Sequence, residues 1–236
     1  MASPWFPRVL LGVGIVGLAA AIVSLSVGTG GPKVIKISGG DSVQELLGGV
    51  EQDGAYLGSP NAPVTISLFT DLQCSTCDTY ELQTVDPLIA EYARGSEARF
   101  QFHNYSLGQA DVTEAAYAAA AAGQQDQEWQ FAELFFRNQN QAPGCPSSCT
   151  VTSQFLDDIG NAIDSFNTFD VGQWRTDMDS QEVKDSVDAD QKLAAQYSLR
   201  IEAPSIIVDG PGGTKVLQDG PSKDEVDAAV AEVSGS

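Results

Sequence analysis

The feature that most constrains this chain is a Cys-x-x-Cys motif that follows a strongly β-forming segment. Residues 64–69 read VTISLF, a run of β-branched and aromatic residues that predicts a strand. From Cys74 to Arg94 apolar side chains recur at spacings of three and four, which predicts an amphipathic helix. Pro87 lies inside this helix and is expected to kink it. The two cysteines of the motif, Cys74 and Cys77, therefore lie where a strand passes into a helix.

The spacing of the motif suits a redox-active disulfide. Residues i and i+3 in the first turn of a helix lie about 5–6 Å apart, within the range that a disulfide can bridge. The sulfur of Cys74 would lie at the helix N-terminus, where unpaired N–H groups and the helix dipole favour a thiolate. We predict that Cys74 is the nucleophile and Cys77 the resolving thiol. A static disulfide or half of a zinc site is the alternative, which the strand-to-helix setting disfavours.

A second pair, Cys145 and Cys149, lies in a stretch that contains proline and glycine and that no strand precedes. We expect a structural disulfide that staples a loop. A single zinc ion held by all four cysteines is disfavoured, because the pairs of a compact zinc ribbon lie about 15–20 residues apart. No metal or cofactor is predicted. Two pairs at disulfide spacing favour an oxidising compartment over the cytosol.

The remaining elements predict an α/β core that a helical insertion interrupts. Residues 99–105 alternate like a second strand, and a long helical block follows at about 109–190. Three elements close the chain: a strand at 205–208, its hairpin partner at 214–217 and a helix at 223–233.

The only histidine and the large aromatic residues of the block have simple structural interpretations. His103 lies in the second strand, where we expect a buried ring with satisfied nitrogens. Three aromatic residues are expected in the core of the helical block: Trp129, Phe135 and Trp174.

The N-terminus predicts a membrane anchor. Residues 9–27 are apolar and uncharged, about the length of a membrane span and longer than the roughly 7–15 residues of a signal-peptide core. Small residues at 24 and 26 leave cleavage open. Positive charges flank both sides, at Arg8 and at Lys33 and Lys36, so the positive-inside rule gives no firm orientation. The cysteine pairs favour a short N-terminus inside and a catalytic domain outside the cytoplasm.

These features divide the chain into three parts. Residues 1–30 are predicted to be a membrane anchor or an uncleaved signal, and residues 31–55 a tether. Residues 56–234 are predicted to form one redox domain that carries the helical insertion. The protein is therefore expected at the cell membrane, with a single span and an extracytoplasmic domain.

The charge of the chain excludes one class of partner. Twelve Lys and Arg residues stand against 32 Asp and Glu residues, which gives a formal net charge of −20. Such a chain is repelled by phosphate backbones and by anionic lipid surfaces. Nucleic-acid binding is therefore not expected.

Residues 69–77, FTDLQCSTC, resemble the active-site segment of the DsbA-like branch of the thioredoxin superfamily. Residues 115–139 resemble the first inserted helices of that family, and residues 201–210, IEAPSIIVDG, resemble its proline-loop segment. The resemblance covers about residues 56–234. It implies a thioredoxin-like α/β fold with an inserted helical domain, and the activity of a thiol:disulfide oxidoreductase.

The resemblance also carries over site residues. It implies that Pro204 is cis and faces the redox pair, which would expose the backbone of Ala203 to a substrate strand. Ser75 and Thr76, between the cysteines, are expected to contact substrate. They lack the proline and the His or Tyr common in strongly oxidising members, and Ala203 replaces a more usual Thr or Val. Asp71 is a candidate for proton transfer to the resolving thiol, with a turn residue as the alternative.

The function that the resemblance implies is oxidation of unfolded or secreted proteins that contain cysteines. A membrane partner of the quinone-linked kind would re-oxidise the redox pair. A reductase or isomerase kept reduced by a membrane electron donor is the alternative, because known potentials span about −120 to −270 mV. A non-enzymatic binding or scaffold module of the same fold is a further alternative.

Overall fold

The computed structural model describes Met1 and residues 35–106, 114–142, 151–200 and 203–235. The predicted anchor, residues 9–27, and the pair Cys145 and Cys149 lie outside these residues. Within the described ranges no helix is both long and apolar enough to cross a membrane. The elements are α1 Gly40–Leu47, β1 Gln52–Asp53, β2 Tyr56–Leu57, β3 Val64–Thr70, a helix α2 in four contiguous segments, β4 Ala98–Asn104, α3 Glu114–Gly123, α4 Glu128–Asn138, α5 Ser153–Asp164, α6 Val171–Asp177, α7 Gln181–Gln196, β5 Ser205–Gly210, β6 Gly213–Leu217 and α8 Lys223–Val233.

A six-stranded sheet of order β1-β2-β4-β3-β5-β6 forms the centre of the fold. Strands β3 and β4 are parallel and are joined through α2, whereas β5 and β6 form the predicted antiparallel hairpin. Phe69 near the end of β3 is paired with His103 on one side and with Ser205 on the other. The loop that leaves β3, the end of β4 and the start of β5 therefore meet at one edge of the sheet.

Helix α2 adapts to a proline in its interior. It runs through α-helical Cys77–Tyr80, π-helical Glu81–Val85, α-helical Asp86–Leu88 and π-helical Ile89–Ala93. Pro87 has no N–H to donate and its ring crowds the preceding turn, so a regular α-helix cannot continue past it undisturbed. The expected local distortion takes the form of a π-helical segment on each side of the proline.

The helical insertion is confirmed, and α3 is its centre. This helix is rich in alanine and nearly all of its residues are buried, because small side chains let α4, α6 and α7 approach closely. The Trp174 indole donates to the Ala118 carbonyl at 2.9 Å. The three aromatic residues expected in the core are all wholly buried: Trp129, Phe135 and Trp174.

Residues 35–55, which the sequence assigns to the tether, contain a helix and a strand of the sheet. Val43 and Leu47 of α1 lie one helical turn apart and are both buried. The Trp129 indole donates to the Ala55 carbonyl at 2.9 Å, which fastens this segment to α4. Together with the residues that follow they belong to one compact unit.

Candidate active site

The loop after β3 is shaped by Asp71. Its carboxylate accepts the N–H of Gln73 at 2.8 Å, and its carbonyl accepts the N–H of Cys74 at 3.1 Å. The side chain is buried. Asp71 thus has the turn-forming role that the sequence offered as the alternative, while its role in proton transfer stays a prediction.

Cys74 and Cys77 form a disulfide, with Cα atoms 5.4 Å apart as the spacing predicts. Helix α2 begins at Cys77, so the expected position of Cys74 inside the first helical turn is wrong. The reason is that the Cys74 carbonyl accepts the Cys77 N–H at 3.2 Å, which closes a turn ahead of the helix. Cys77 is wholly buried and Cys74 is half-buried.

The residues between the cysteines are exposed, and one of them contacts the outer sulfur. The hydroxyl oxygen of Thr76 lies 3.6 Å from the Cys74 Sγ. In the reduced protein this hydroxyl can donate to a Cys74 thiolate. Thr76 therefore provides a hydrogen-bond donor beside the outer sulfur, and Ser75 lies exposed next to it.

The proline segment lies at the same edge of the sheet. Pro204 directly precedes Ser205, the residue that pairs with Phe69. Pro204 is buried, whereas Ala203 is half-buried. The carbonyl of Pro204 accepts the N–H of Gly220 at 2.9 Å. The roles predicted for Pro204 and Ala203 in substrate binding stay predictions.

Helix α2 is fastened to the loop that supports the proline segment. The Tyr80 hydroxyl donates to the Pro221 carbonyl at 2.9 Å, and burial raises the pKa of this phenol. Gly220 has φ +67, and a Cβ there would lie 3.9 Å from both Ala203 and the Tyr80 ring. Tyr80 and Gly220 were not predicted from the sequence, because their partners lie far away along the chain.

His103 lies beneath this edge and is only half-satisfied. Its ring stacks on Phe69 with centroids 4.3 Å apart, and Nδ1 lies 2.6 Å from an Asp190 oxygen. Its buried Nε2 meets no hydrogen-bond partner among the described residues. The expectation of a satisfied ring is therefore wrong for one nitrogen. Among the described residues a single carboxylate, that of Asp190, reaches the ring. The aromatic residues beside it, Phe69 and the Tyr105 that packs against Phe69, do not hydrogen-bond to Nε2.

A glutamine from the helical insertion reaches the redox loop. Gln139, in the 3-10 turn Gln139–Gln141 after α4, is 2% exposed. Its Nε2 lies 2.5 Å from the carbonyl oxygen of Leu72 and 2.8 Å from that of Cys74. No local pattern marks this residue, which sits in a run of Gln and Asn.

Two buried carboxyl groups, Glu81 and Glu133, and the partly buried Asp86 lie near one arginine alongside helix α2. Arg137 contacts Asp86 at 2.5 Å and also pairs with Glu133. Burial and repulsion by Glu133 raise the pKa of Glu81, and burial raises the pKa of Glu133 to about 8. Among the described residues, neither oxygen of Glu81 meets a hydrogen-bond donor. Protonation of one carboxyl relieves the repulsion between Glu81 and Glu133, which agrees with their raised pKa values.

A further buried carboxyl, that of Glu128 in α4, contacts the end of β4. The Asn104 amide donates to Glu128 at 2.7 Å, and the Asn104 backbone N–H donates to Asp190 at 2.9 Å. Burial raises the pKa of Glu128 to about 8, although the Asn104 bond opposes the shift. Within the part of the chain that the structure describes, no group of three or more His, Cys, Asp or Glu side chains is arranged to hold a metal ion.

Comparison with known proteins identifies the family. Residues 51–230 match the family model described as thioredoxin. The chain belongs to the thioredoxin family. It is 28% identical over 156 residues to the probable disulfide bond formation protein D of Bacillus anthracis, a match that covers 65% of this chain and 69% of that protein. The protein of the same name from Bacillus cereus is 26% identical over the same shares.

Solved structures agree on the fold. Oxidised BdbD from Bacillus subtilis has a TM-score of 0.62 and 20% identity, over 79% of this chain and 98% of its own. DsbA from Chlamydia trachomatis has a TM-score of 0.59 and 15% identity, over 75% and 90%. Together with the names of the relatives and the Cys74–Cys77 disulfide, these matches confirm the prediction made from the sequence. This member of the thioredoxin family is a DsbA-like thiol:disulfide oxidoreductase.

Proposed function

We propose that this chain is a protein disulfide oxidase that transfers the Cys74–Cys77 disulfide to unfolded or secreted proteins with cysteines. The observation that carries the proposal is the unequal burial of the two sulfurs. Cys77 is wholly buried, whereas Cys74 is half-buried beside the exposed Ser75 and Thr76. A thiolate of such a substrate protein, called the client below, therefore reaches Cys74. This access selects the sulfur on which the mixed disulfide forms.

The reaction balances as two thiol–disulfide exchanges. A client thiolate attacks the Cys74 Sγ, a bond forms between them, and the Cys74–Cys77 bond breaks. Cys77 leaves with the electron pair and takes up a proton. A second client thiolate then attacks the client sulfur of the mixed disulfide, which forms the client disulfide and releases Cys74 as a thiolate. Two electrons pass from client to enzyme, and of the two client protons one reaches Cys77 and one the solvent.

Two features favour the oxidising direction. The Thr76 hydroxyl oxygen lies 3.6 Å from the Cys74 Sγ, and Cys74 lies just ahead of the N-terminus of α2, where the helix dipole favours negative charge. Both would stabilise a Cys74 thiolate, and a stabilised reduced form makes a strong oxidant. The relatives from the two Bacillus species are named for disulfide bond formation, which agrees with this direction.

The proposal places the domain outside the cytoplasm on a single N-terminal span formed by residues 9–27. A quinone-linked membrane oxidase would remove two electrons from the reduced pair and restore the disulfide. Added protease should then degrade the domain in spheroplasts whose membrane is intact. Protection of the domain until the membrane is permeabilised would contradict this location.

The decisive experiment is the reduction potential of the Cys74–Cys77 pair in the full-length chain in detergent. The protein is equilibrated with glutathione buffers, and each cysteine is read separately by thiol trapping and mass spectrometry. A potential near or above about −150 mV supports an oxidase. A potential near or below about −230 mV would instead assign the chain to reduction or isomerisation.

The variant Cys74→Ser distinguishes an enzyme from a non-enzymatic binding module of the same fold. Oxidation of a reduced client should fall to the uncatalysed rate, because the exposed sulfur that forms the mixed disulfide is gone. Unchanged client oxidation together with retained client binding would favour a scaffold that uses the same fold without its chemistry.

A further inference from the structure

We infer that Gln139 is a positioning residue that sets the reduction potential of the Cys74–Cys77 pair from the helical insertion. Its side-chain amide spans two carbonyl oxygens of the redox loop, at 2.5 Å for Leu72 and 2.8 Å for Cys74. These contacts join residues 65 and 67 positions apart along the chain. The inference rests on the disulfide exchange proposed above but not on its direction.

The two carbonyl groups need the amide because of where they lie. Leu72 and Gln139 are both almost completely buried, so water cannot easily replace a lost donor. The Cys74 oxygen also accepts the N–H of Cys77 at 3.2 Å. With Gln139 in place, both lone pairs of the Cys74 oxygen are used, and the turn that leads into α2 is held from two sides.

The amide also acts on the charge of the reduced form. Carbonyl oxygens carry partial negative charge, and those of Leu72 and of Cys74 itself lie in the loop that carries the Cys74 sulfur, where they oppose a thiolate. Hydrogen-bond donors on both oxygens offset this effect. The neutral disulfide is less sensitive to the same field, so Gln139 favours the thiolate over the disulfide and raises the reduction potential.

The neighbouring residue makes Gln139 rigid. The Asn138 amide donates to the carbonyls of Leu134 at 2.7 Å and Ser38 at 2.9 Å, and its oxygen accepts the Ser38 N–H at 2.9 Å. The turn at the end of α4 is therefore held by hydrogen bonds that do not involve the redox loop. A donor that is held in place in both redox states avoids the cost of reorganisation.

The test measures reduction potentials of full-length variants in detergent by the glutathione assay described above. Gln139→Leu keeps the approximate volume of the side chain and removes both donors. We expect its equilibrium constant for oxidising glutathione to fall about fivefold to tenfold, the effect of losing one or two hydrogen bonds. A tenfold change corresponds to about 30 mV for this two-electron couple. The Cys74 thiolate, followed by its ultraviolet absorbance, should titrate at higher pH than in the wild type.

Gln139→Glu adds a signature that a purely structural role would not produce. A protonated carboxyl can donate one hydrogen bond, whereas a carboxylate can only accept. The difference in reduction potential between this variant and the wild type, measured at the same pH, should become smaller as pH falls. The difference between Gln139→Leu and the wild type should stay nearly constant.

Gln130→Leu is the matched control. Gln130 is a buried glutamine of α4, the helix that ends just before Gln139, and it lines a cavity of about 400 Å³ bounded by α1 residues, away from the redox loop. It should change stability without changing the potential. If Gln139→Leu does not fold, Gln139→Asn, whose shorter side chain cannot span both carbonyls, takes its place.

The outcomes separate this inference from the proposed function. A wild-type pair that never opens across the glutathione range would overturn the proposed function. A wild-type pair that opens, combined with Gln139 variants of unchanged potential, would overturn the inference alone. Equal shifts in the Gln139 and Gln130 variants would also overturn it, because loss of stability would then explain both.

Discussion

Two clusters of buried carboxyl groups show how differently one fold treats the same chemistry. In the arginine cluster, Asp86 and Glu133 form ion pairs with the guanidinium of Arg137. Glu81 does not contact the guanidinium, but its charge interacts with that of Arg137. In the asparagine cluster, Glu128 and Asp190 accept hydrogen bonds from the side chain and backbone of Asn104, and His103 adds a contact to Asp190. Burial raises the pKa of Glu128 and of Glu133 to about 8, so the degree of burial does not distinguish the clusters.

The difference lies in hydrogen bonding. Among the described residues, one oxygen each of Asp86 and Glu133 and both oxygens of Glu81 lack a hydrogen-bond partner. Each such group adds an unfavourable desolvation free energy. The arginine cluster lies along the redox helix, one turn beyond Cys77, while the asparagine cluster fixes the end of β4. In the described part of the chain, buried carboxyl oxygens without a partner therefore lie beside the redox helix, whereas the asparagine cluster contains the unpartnered Nε2 of His103.

The largest expected effect breaks the arginine cluster. Arg137→Leu would leave the buried Glu81 and Glu133 and the partly buried Asp86 with no cation, and we expect the free energy of unfolding to fall by about 3–5 kcal/mol. The measurement is chemical denaturation at pH 7. Arg175→Leu is the control, because its ion pair with Asp157 is largely exposed and contributes under about 1 kcal/mol. Similar losses in both variants would show that the guanidinium does not compensate the buried acids.

The second prediction concerns pH. The folded-state pKa values of Glu128 and Glu133 lie near 8 against an ordinary value of 4.5, so the folded protein binds these protons more tightly than the unfolded chain. Their contribution to stability is complete below about pH 4.5 and is lost as pH rises towards 8. The slope approaches at most about 1.4 kcal/mol per pH unit for each group. Unfolding free energies measured from pH 5 to pH 8 test this.

Substitution by glutamine at each site sharpens the comparison. Glu128→Gln should flatten the pH dependence and leave the stability at pH 5 nearly unchanged, because the new amide oxygen can still accept from Asn104. Glu133→Gln should flatten it as well and leave the stability at pH 5 nearly unchanged, because folded-state Glu133 is uncharged there and the new amide oxygen can still accept from Arg137. Curves that run parallel to the wild type would show that neither group holds a proton in the folded state.

The smallest expected effect is a gain. Glu81→Met replaces a wholly buried carboxyl by an apolar side chain of similar length, while Arg137 keeps Asp86 and Glu133. We expect about 1–2 kcal/mol of added stability at pH 8 and a smaller gain at pH 5, where the raised pKa keeps Glu81 protonated in the folded state and the unfolded carboxyl is only partly ionised. Thermal or denaturant unfolding at the two pH values decides. A loss at pH 8 would mean that Glu81 contributes a favourable interaction in the cluster.

Local patterns predicted the frame of the molecule. The helix Lys223–Val233 has the predicted bounds, because its apolar spacing and its end signals lie within a few residues of each other. Ser222 and Glu225 form a capping box at its start. The Cys-x-x-Cys pair could be identified for the same reason, since both its setting and its spacing are local.

The parts that escaped prediction depend on contacts between distant segments. Gln139 is one of several polar residues in its stretch, and only the fold brings it to the carbonyls of the redox loop. Glu81 reads as a normal polar position of an amphipathic helix, yet the inserted α4 covers it. Periodicity indicates which face of a helix is buried when one partner is present, but it cannot anticipate a second partner inserted from elsewhere in the chain.

The two π-helical segments of α2 have a consequence for how relatives of this chain can differ in length. A π-helical turn accommodates one residue more than an α-helical turn, and each residue of a regular helix turns the chain by about 100°. Deletion of one residue within Glu81–Val85 would therefore restore a regular turn and rotate the positions that follow relative to Cys77. Tyr92, whose hydroxyl donates to Asp227 at 2.9 Å, would leave its place against α8. A single-residue gap in this helix between two relatives would thus mark a different packing of the redox helix.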